Sequence, residues 1–229
     1  MQDIRIIYKD KELLVCEKPV GISSESPGLP DILRHKIHSV CYPVHRLDVG
    51  TGGVCVQALN KKACSDLQQL FQAGKVSKEY LAVISGMPET FSGEYRDYLF
   101  HDTHRNKTYV VKTLRKGSKE AFCSWKVVET VKKENQTLSL VRVFLKTGRT
   151  HQIRIQFASR GFPLVGDRRY GSRIKSDITA LWSNRICFQH PENPEQIIDA
   201  ACAPPAVFPW ILFQSVKQSV IRHSSGALS

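Results

Sequence analysis

The amino-acid sequence predicts an α+β fold built on a mixed, mostly antiparallel sheet. Apolar runs of strand length dominate the chain, and helix-like stretches interrupt them irregularly. Several neighbouring runs are joined by turns short enough for antiparallel pairing.

In chain order, residues 4–8 (IRIIY) and 13–16 (LLVC) flank a polar KDKE and read as strand, turn and strand. Lys18-Pro19-Val20-Gly21 ends the second run, and residues 23–30 read as loop. A short helix is expected over 31–37, capped near Pro30 or Asp31. Residues 54–59 form a strand leading into a helix over about 61–73. Leu67, Leu70 and Phe71 give that helix one apolar face, and Gly74 stops it. Residues 80–85 are a further strand, broken by Gly86 and Pro88. The polar stretch 91–117 reads as a surface excursion with some strand. Residues 125–131 and 138–145 alternate like an antiparallel pair around a turn at 132–136. Thr147-Gly148-Arg149-Thr150 leads into a helix of about ten residues ending at Gly161, with Ile153, Phe157 and Ala158 as its buried stripe. Beyond Asp167 come a Gly-bearing loop, a strand near 186–189 and a Pro-rich part. No repeat or inter-domain linker interrupts the pattern, so one domain is expected over 1–215, with a polar tail at 216–229.

The charge balance is unusual. The chain has 33 Lys and Arg against 21 Asp and Glu, a formal charge of +12. Such a surplus favours a polyanionic partner, since each neutralised phosphate releases condensed counterions. A merely solvated basic surface would look the same. No basic amphipathic helix suggests a membrane surface, and no signal-peptide core or spanning run is visible. Cys16, Cys41, Cys55, Cys64, Cys123, Cys187 and Cys202 form no C-x-x-C pair. Neither a disulfide framework nor a zinc site is indicated, and a cytoplasmic, reducing location is expected.

The chemistry concentrates in four ordered segments. They are Leu14 to Gly21 (LVCEKPVG), His45 to Gly53 (HRLDVGTGG), Lys78 to Val83 (KEYLAV), and Thr147 to Arg154 (TGRTHQIR) continuing to Gly171. Together they resemble the RluA-type family of RNA pseudouridine synthases over most of the chain. The resemblance implies that family's mixed, mostly antiparallel central sheet, flanked by helices and loops around a basic active-site cleft. It implies isomerisation of uridines in ribosomal or transfer RNA, with no metal or redox cofactor and a monomeric enzyme.

Within that resemblance Asp48 is the nucleophile. Taken alone, an Asp before Gly50 would more often cap a turn. Pseudouridine formation breaks the N1–C1′ bond, turns the base and rejoins it through C5. A carboxylate could attack C1′, attack C6, or assist removal of the C2′ proton, and each role needs it ionised. The family match makes Tyr80 the ring that stacks on the uracil, its hydroxyl placed for proton transfer at C5. As a plain strand residue Tyr80 would simply fill the core. Arg154 is implied as the cation that keeps Asp48 charged in a dry pocket, where Arg suits better than Lys.

Among substrate-binding candidates, Arg46 is implied in remodelling the RNA while the target base is extruded, on the opposite strand face if the strand runs on. His45 could be a general base, or a structural histidine under the loop. Arg149, Thr150, His151, Gln152 and Ile153 stand at a helix start, where phosphate contacts and capping are equally natural. The basic run 101–119 could face RNA or solvent. Gly52 stands where the family usually has Ser, and is expected to loosen the catalytic loop. A leading S4-type RNA-binding domain is not expected, since the first family-like strand begins so early. Two other readings stay open: a non-catalytic RNA-binding or chaperone module on the same fold, and a metal-dependent hydrolase. The second needs clustered acids, whereas Asp48 has none close to it in sequence and Asp167 is the candidate partner from another matching segment.

Overall fold

A computed structural model describes residues 3–216. In chain order the strands are β1 (Ile6–Lys9), β2 (Leu13–Lys18), β3 (Tyr42–Pro43), β4 (Gly52–Ala58), β5 (Ser77–Ser85) and β6 (Ser92–Asp102). They continue with β7 (Lys107–Val111), β8 (Ser118–Lys133), β9 (Gln136–Leu145), β10 (Leu181–Gln189) and β11 (Ile197–Ala201). The helices are α1 (Leu29–Ile37), α2 (Lys61–Gln72) and α3 (Gln152–Ala158). The class is α+β, as the dominance of strands, the irregular helices and the short antiparallel connections predicted. The described residues divide into two compact units, one formed by residues 3–78 with Trp182–Pro204, the other by Glu79–Leu181 with residues 205–216.

In the first unit the sheet order is β1-β2-β4-β10-β11, with β3 also on β4. Every pairing is antiparallel except β4 with β10, where Gly52 and Gly53 lie opposite Trp182 and Ser183. Both glycines are required by space. A Cβ at Gly52 would lie 2.3 Å from the Trp182 indole, and one at Gly53 2.2 Å from the Ser183 carbonyl oxygen. Gly52 therefore does not loosen a loop: it allows two strands to approach. The β1–β2 turn is held by Asp10, whose Oδ1 accepts the Glu12 and Leu13 N–H groups. Asn60 caps α2 by accepting the Ala63 N–H at 2.8 Å. The helix α1 starts two residues before the expected 31–37, at Leu29, because Asp31 is not the cap itself. Its Oδ2 reaches back to the Gly28 N–H at 2.9 Å, and Pro30 fits in the first turn where no N–H is missed.

In the second unit the order is β5-β9-β8-β6-β7, antiparallel throughout. The hairpin β8–β9 turns tightly, with Lys133 opposite Gln136 and Glu134 at φ 55°. Tyr95, Trp125 and Phe157 pack ring against ring at 5.0–5.9 Å, which seats α3 on one face of the sheet.

The stretch 91–117 differs from expectation, since most of it is the strands β6 and β7. On β6, Tyr95 and Leu99 are buried while Glu94 and Arg96 are exposed, a true alternation masked by the density of charge. The strand β11 was also not anticipated. The helix α3 is shorter than expected, ending at Ala158, and Gln152 and Gln156 are buried on it beside Ile153 and Phe157. Of the expected tail only Val216 is described, and it is buried; the rest lies outside the described residues. Among the described residues no helix is long and apolar enough to cross a membrane.

Candidate active site

Asp48 stands in an irregular loop between β3 and β4, not at the end of a long strand. The strand expected to run into the motif stops at Pro43, so Arg46 is placed by a loop and not by strand phase. The loop is nevertheless fixed. Ser24, almost fully buried, donates from Oγ to the Leu47 carbonyl at 3.0 Å and accepts the Leu47 N–H at 2.9 Å. On the other side Gly21 N–H donates to the Val49 carbonyl at 2.8 Å. Thr51 N–H closes the turn onto the Asp48 backbone carbonyl at 2.9 Å. The residue before Asp48 and the residue after it are thus held by one neighbouring loop.

Lys18 organises that neighbouring loop. Its Nζ is fully buried and donates to the Pro19 and Ile22 carbonyls at 3.0 and 2.7 Å. Burial pushes its ammonium down to about 8, while Cys55 and Asp48 are among the groups that oppose the fall. Between about 8 and the ordinary 10.5 the unfolded chain binds more protons than the folded one, so this lysine makes stability rise with pH there. Lys18→Met should flatten that rise by on the order of 3 kcal/mol, read as urea midpoints of parent and variant at either end of that window.

His45 is a latch within the first unit. Its Nε2 accepts the Val56 N–H at 3.0 Å, so the proton sits on Nδ1. The ring stacks on Phe71 at 4.6 Å. Loss of water, and then Lys78, push the imidazole down to about 3, which keeps it neutral. Arg46 is exposed and lies 3.9 Å from Glu25, a loose contact.

In the second unit Tyr80 lies on β5 opposite Val143 of β9 and is 7% exposed. Arg154, on α3, forks onto Asp167: Nε to Oδ2 at 2.7 Å and Nη2 to Oδ1 at 2.9 Å. The Tyr170 ring lies 5.1 Å from that guanidinium. The Tyr170 hydroxyl accepts the Thr108 N–H at 2.8 Å and shares a second hydrogen bond with His151 Nδ1, also at 2.8 Å. His151 enters α3 in the left-handed region at φ 55°. Thr150 offers its carbonyl to the Thr108 hydroxyl at 2.9 Å. Gln152 accepts the Thr147 hydroxyl and the Arg149 N–H through Oε1 at 2.8 and 3.0 Å. Arg149 Nε donates to the Glu120 carbonyl at 2.9 Å, and Ile153 is in the core. This helix start is therefore engaged with groups of the protein itself, backbone and side chain alike. Ser24 and Gln156 went unnoticed in the sequence. Their partners, Leu47 and Tyr95 with Asp97, are distant along the chain and leave no local pattern.

The RNA pseudouridylate synthase family model matches residues 12–159, a span containing Asp48, Tyr80 and Arg154. An uncharacterized RNA pseudouridine synthase of Aquifex aeolicus (strain VF5) is 34% identical over 220 residues, covering 85% of this chain and 68% of that protein. The ribosomal large subunit pseudouridine synthase C of Buchnera aphidicola subsp. Acyrthosiphon pisum (strain APS) is 30% identical, covering 84% of this chain and 65% of its own length. The chain thus spans about two thirds of the length of these relatives. The solved human RNA pseudouridylate synthase domain containing 1 shares the fold at a TM-score of 0.78 and 22% identity, over 98% of this chain and 96% of that one. With its sequence motifs, its sheet and these relatives in agreement, this chain is an isomerase belonging to the RluA-type family of RNA pseudouridine synthases.

Proposed function

We propose that this protein converts particular uridines of structured RNA, ribosomal or transfer, to pseudouridine, with Asp48 as the nucleophile. The observation that carries this reading is the pinned loop: Ser24 and Gly21 hold the residues on either side of Asp48. Its turn is closed by backbone, so the carboxylate is not needed for that closure. Holding a reacting group in place before substrate arrives is what lowers the entropic part of a barrier.

Tyr80 is the stacking ring and the proton-transfer group, and Arg154 supports the charge of the reacting carboxylate. Asp167 supports this reading, because its fork sets the plane of the guanidinium. Arg46, exposed on its loop, enters the RNA when the base is extruded. Asp48 acts on C1′, on C6 or at the C2′ proton, and its ionised form serves all three. No metal or redox cofactor takes part, and the enzyme works as a monomer. All seven cysteines are unpaired thiols, which suits a reducing compartment such as the cytoplasm.

Tyr80→Phe separates the two tyrosine roles. RNA affinity should hold while turnover falls about 10²–10⁴-fold, the usual range for a lost acid–base group. Equal loss of affinity and turnover would show that the hydroxyl only orders the strand. The address is tested by mapping pseudouridines in ribosomal and transfer RNA from cells with and without the gene. At least one site should vanish and return with the parent gene; an unchanged map refutes the proposed activity.

A further inference from the structure

The second unit's sheet presents a face that the reaction does not use. One face packs Tyr95, Trp125 and Phe157 and carries α3. Strand alternation puts Arg96, Tyr98 and Phe100 of β6 on the reverse face. Register sets Phe122 beside Arg96, Val111 beside Tyr98, and Tyr109 beside Phe100. All four aromatic rings of this group are only partly covered.

We propose that this reverse face is a second RNA surface, holding a single-stranded stretch of the substrate away from the reacting uridine. The inference rests on the chain being an RNA-acting enzyme and adds where else the RNA is gripped.

Bare rings in this number would be an adhesive patch. Here cations roof them: the Arg96 guanidinium lies 4.4 Å from the Phe122 centroid and that of Arg115 4.8 Å from Phe100. Lys107 Nζ is 5.7 Å from the Tyr109 centroid. A guanidinium stacked on a ring keeps its outer plane for a nucleobase and its edge for a phosphate. An alternation of rings and cations is how sequence-tolerant proteins hold unpaired strands. The neighbouring sequence has the matching sign. Residues 103–119 contain Arg105, Lys107, Lys112, Arg115, Lys116 and Lys119 and no Asp or Glu. Acids do border the face. Glu94 sits 3.4 Å from Arg96 and Asp102 3.8 Å from Arg105, both at the surface, and Glu120 lies opposite Tyr98. Phosphates must displace those carboxylates, which gives the proposal a signed consequence.

The experiment uses the whole chain and a fluorescein-labelled single-stranded RNA of about 15 nucleotides, with anisotropy read at several salt concentrations. Arg96→Ala with Arg115→Ala should weaken binding roughly tenfold at low salt and reduce the salt slope by about 1.4, two single-strand phosphates' worth. Glu94→Gln should tighten binding. Unchanged affinity and slope in a double variant that melts like the parent would overturn the proposal, as would a parent that binds no RNA. Should the double variant melt early, ultraviolet crosslinking of the parent decides. Adducts on peptides within residues 96–122 support the face, and adducts only elsewhere overturn it. A concentration-dependent dimer that is abolished by the same double variant would identify a protein interface instead. Failure of the catalytic reading would differ: pseudouridine would be missing while binding still depended on Arg96 and Arg115.

Discussion

Asp48→Asn is expected to abolish pseudouridine formation, by at least ~10⁴-fold, while RNA binding survives. Replacing a nucleophile outright removes the covalent route and leaves only what binding and positioning supply. Asn keeps the size and the polarity but not the charge, and the hydrogen bonds that clamp the loop are made by other groups. Ser24 still clamps Leu47, Gly21 still holds Val49, and Thr51 still bonds the residue 48 carbonyl. A melting curve of the variant, read beside its activity, checks that these clamps hold once the charge facing Lys18 is gone. Measured by pseudouridine content of the mapped target RNA after prolonged incubation, full turnover by this variant would remove Asp48 from the reaction.

Asp167→Ala is expected to cost stability first and activity with it. The fork with Arg154 is nearly dry, with side-chain exposures of 11% and 1%. Breaking a buried pair from one side costs up to about 3–5 kcal/mol, here toward about 3 because the Tyr170 ring stays against the guanidinium. For a chain of this size that is a fall in Tm on the order of 10 °C. Asp167→Leu combined with Arg154→Met should recover much of the stability, because both buried charges go together. It should recover none of the turnover. Recovery of turnover would show that Arg154 matters only to the fold.

What was readable in the sequence had short-range causes. Helix α2 was foreseen almost to the residue because a 3.6-residue apolar face and the stop at Gly74 act within a few residues of one another. The hairpin β8–β9 was foreseen because its alternation is regular, although β8 begins at Ser118 and carries a bulge near Val127. Strand β6 was hidden because charges on its outer face outweighed the two inward residues, Tyr95 and Leu99. Gly52 was misjudged because the need for it lies in Trp182, about 130 residues away, and a missing side chain says nothing about what fills its place.

The candidate site divides along the same line. The family resemblance carried by the ordered motifs singled out Asp48, Tyr80 and Arg154 as candidates. Tertiary structure alone decided what holds them. Ser24 reaches Leu47 across 23 positions, Asp167 grips Arg154 across 13, and Tyr170 ties Thr108 to His151. A buried hydrogen bond is a pairing of two groups, and sequence shows each group without its partner. The chemistry of this protein was therefore written locally, while its positioning was settled by which distant backbone and side-chain groups folding brought together.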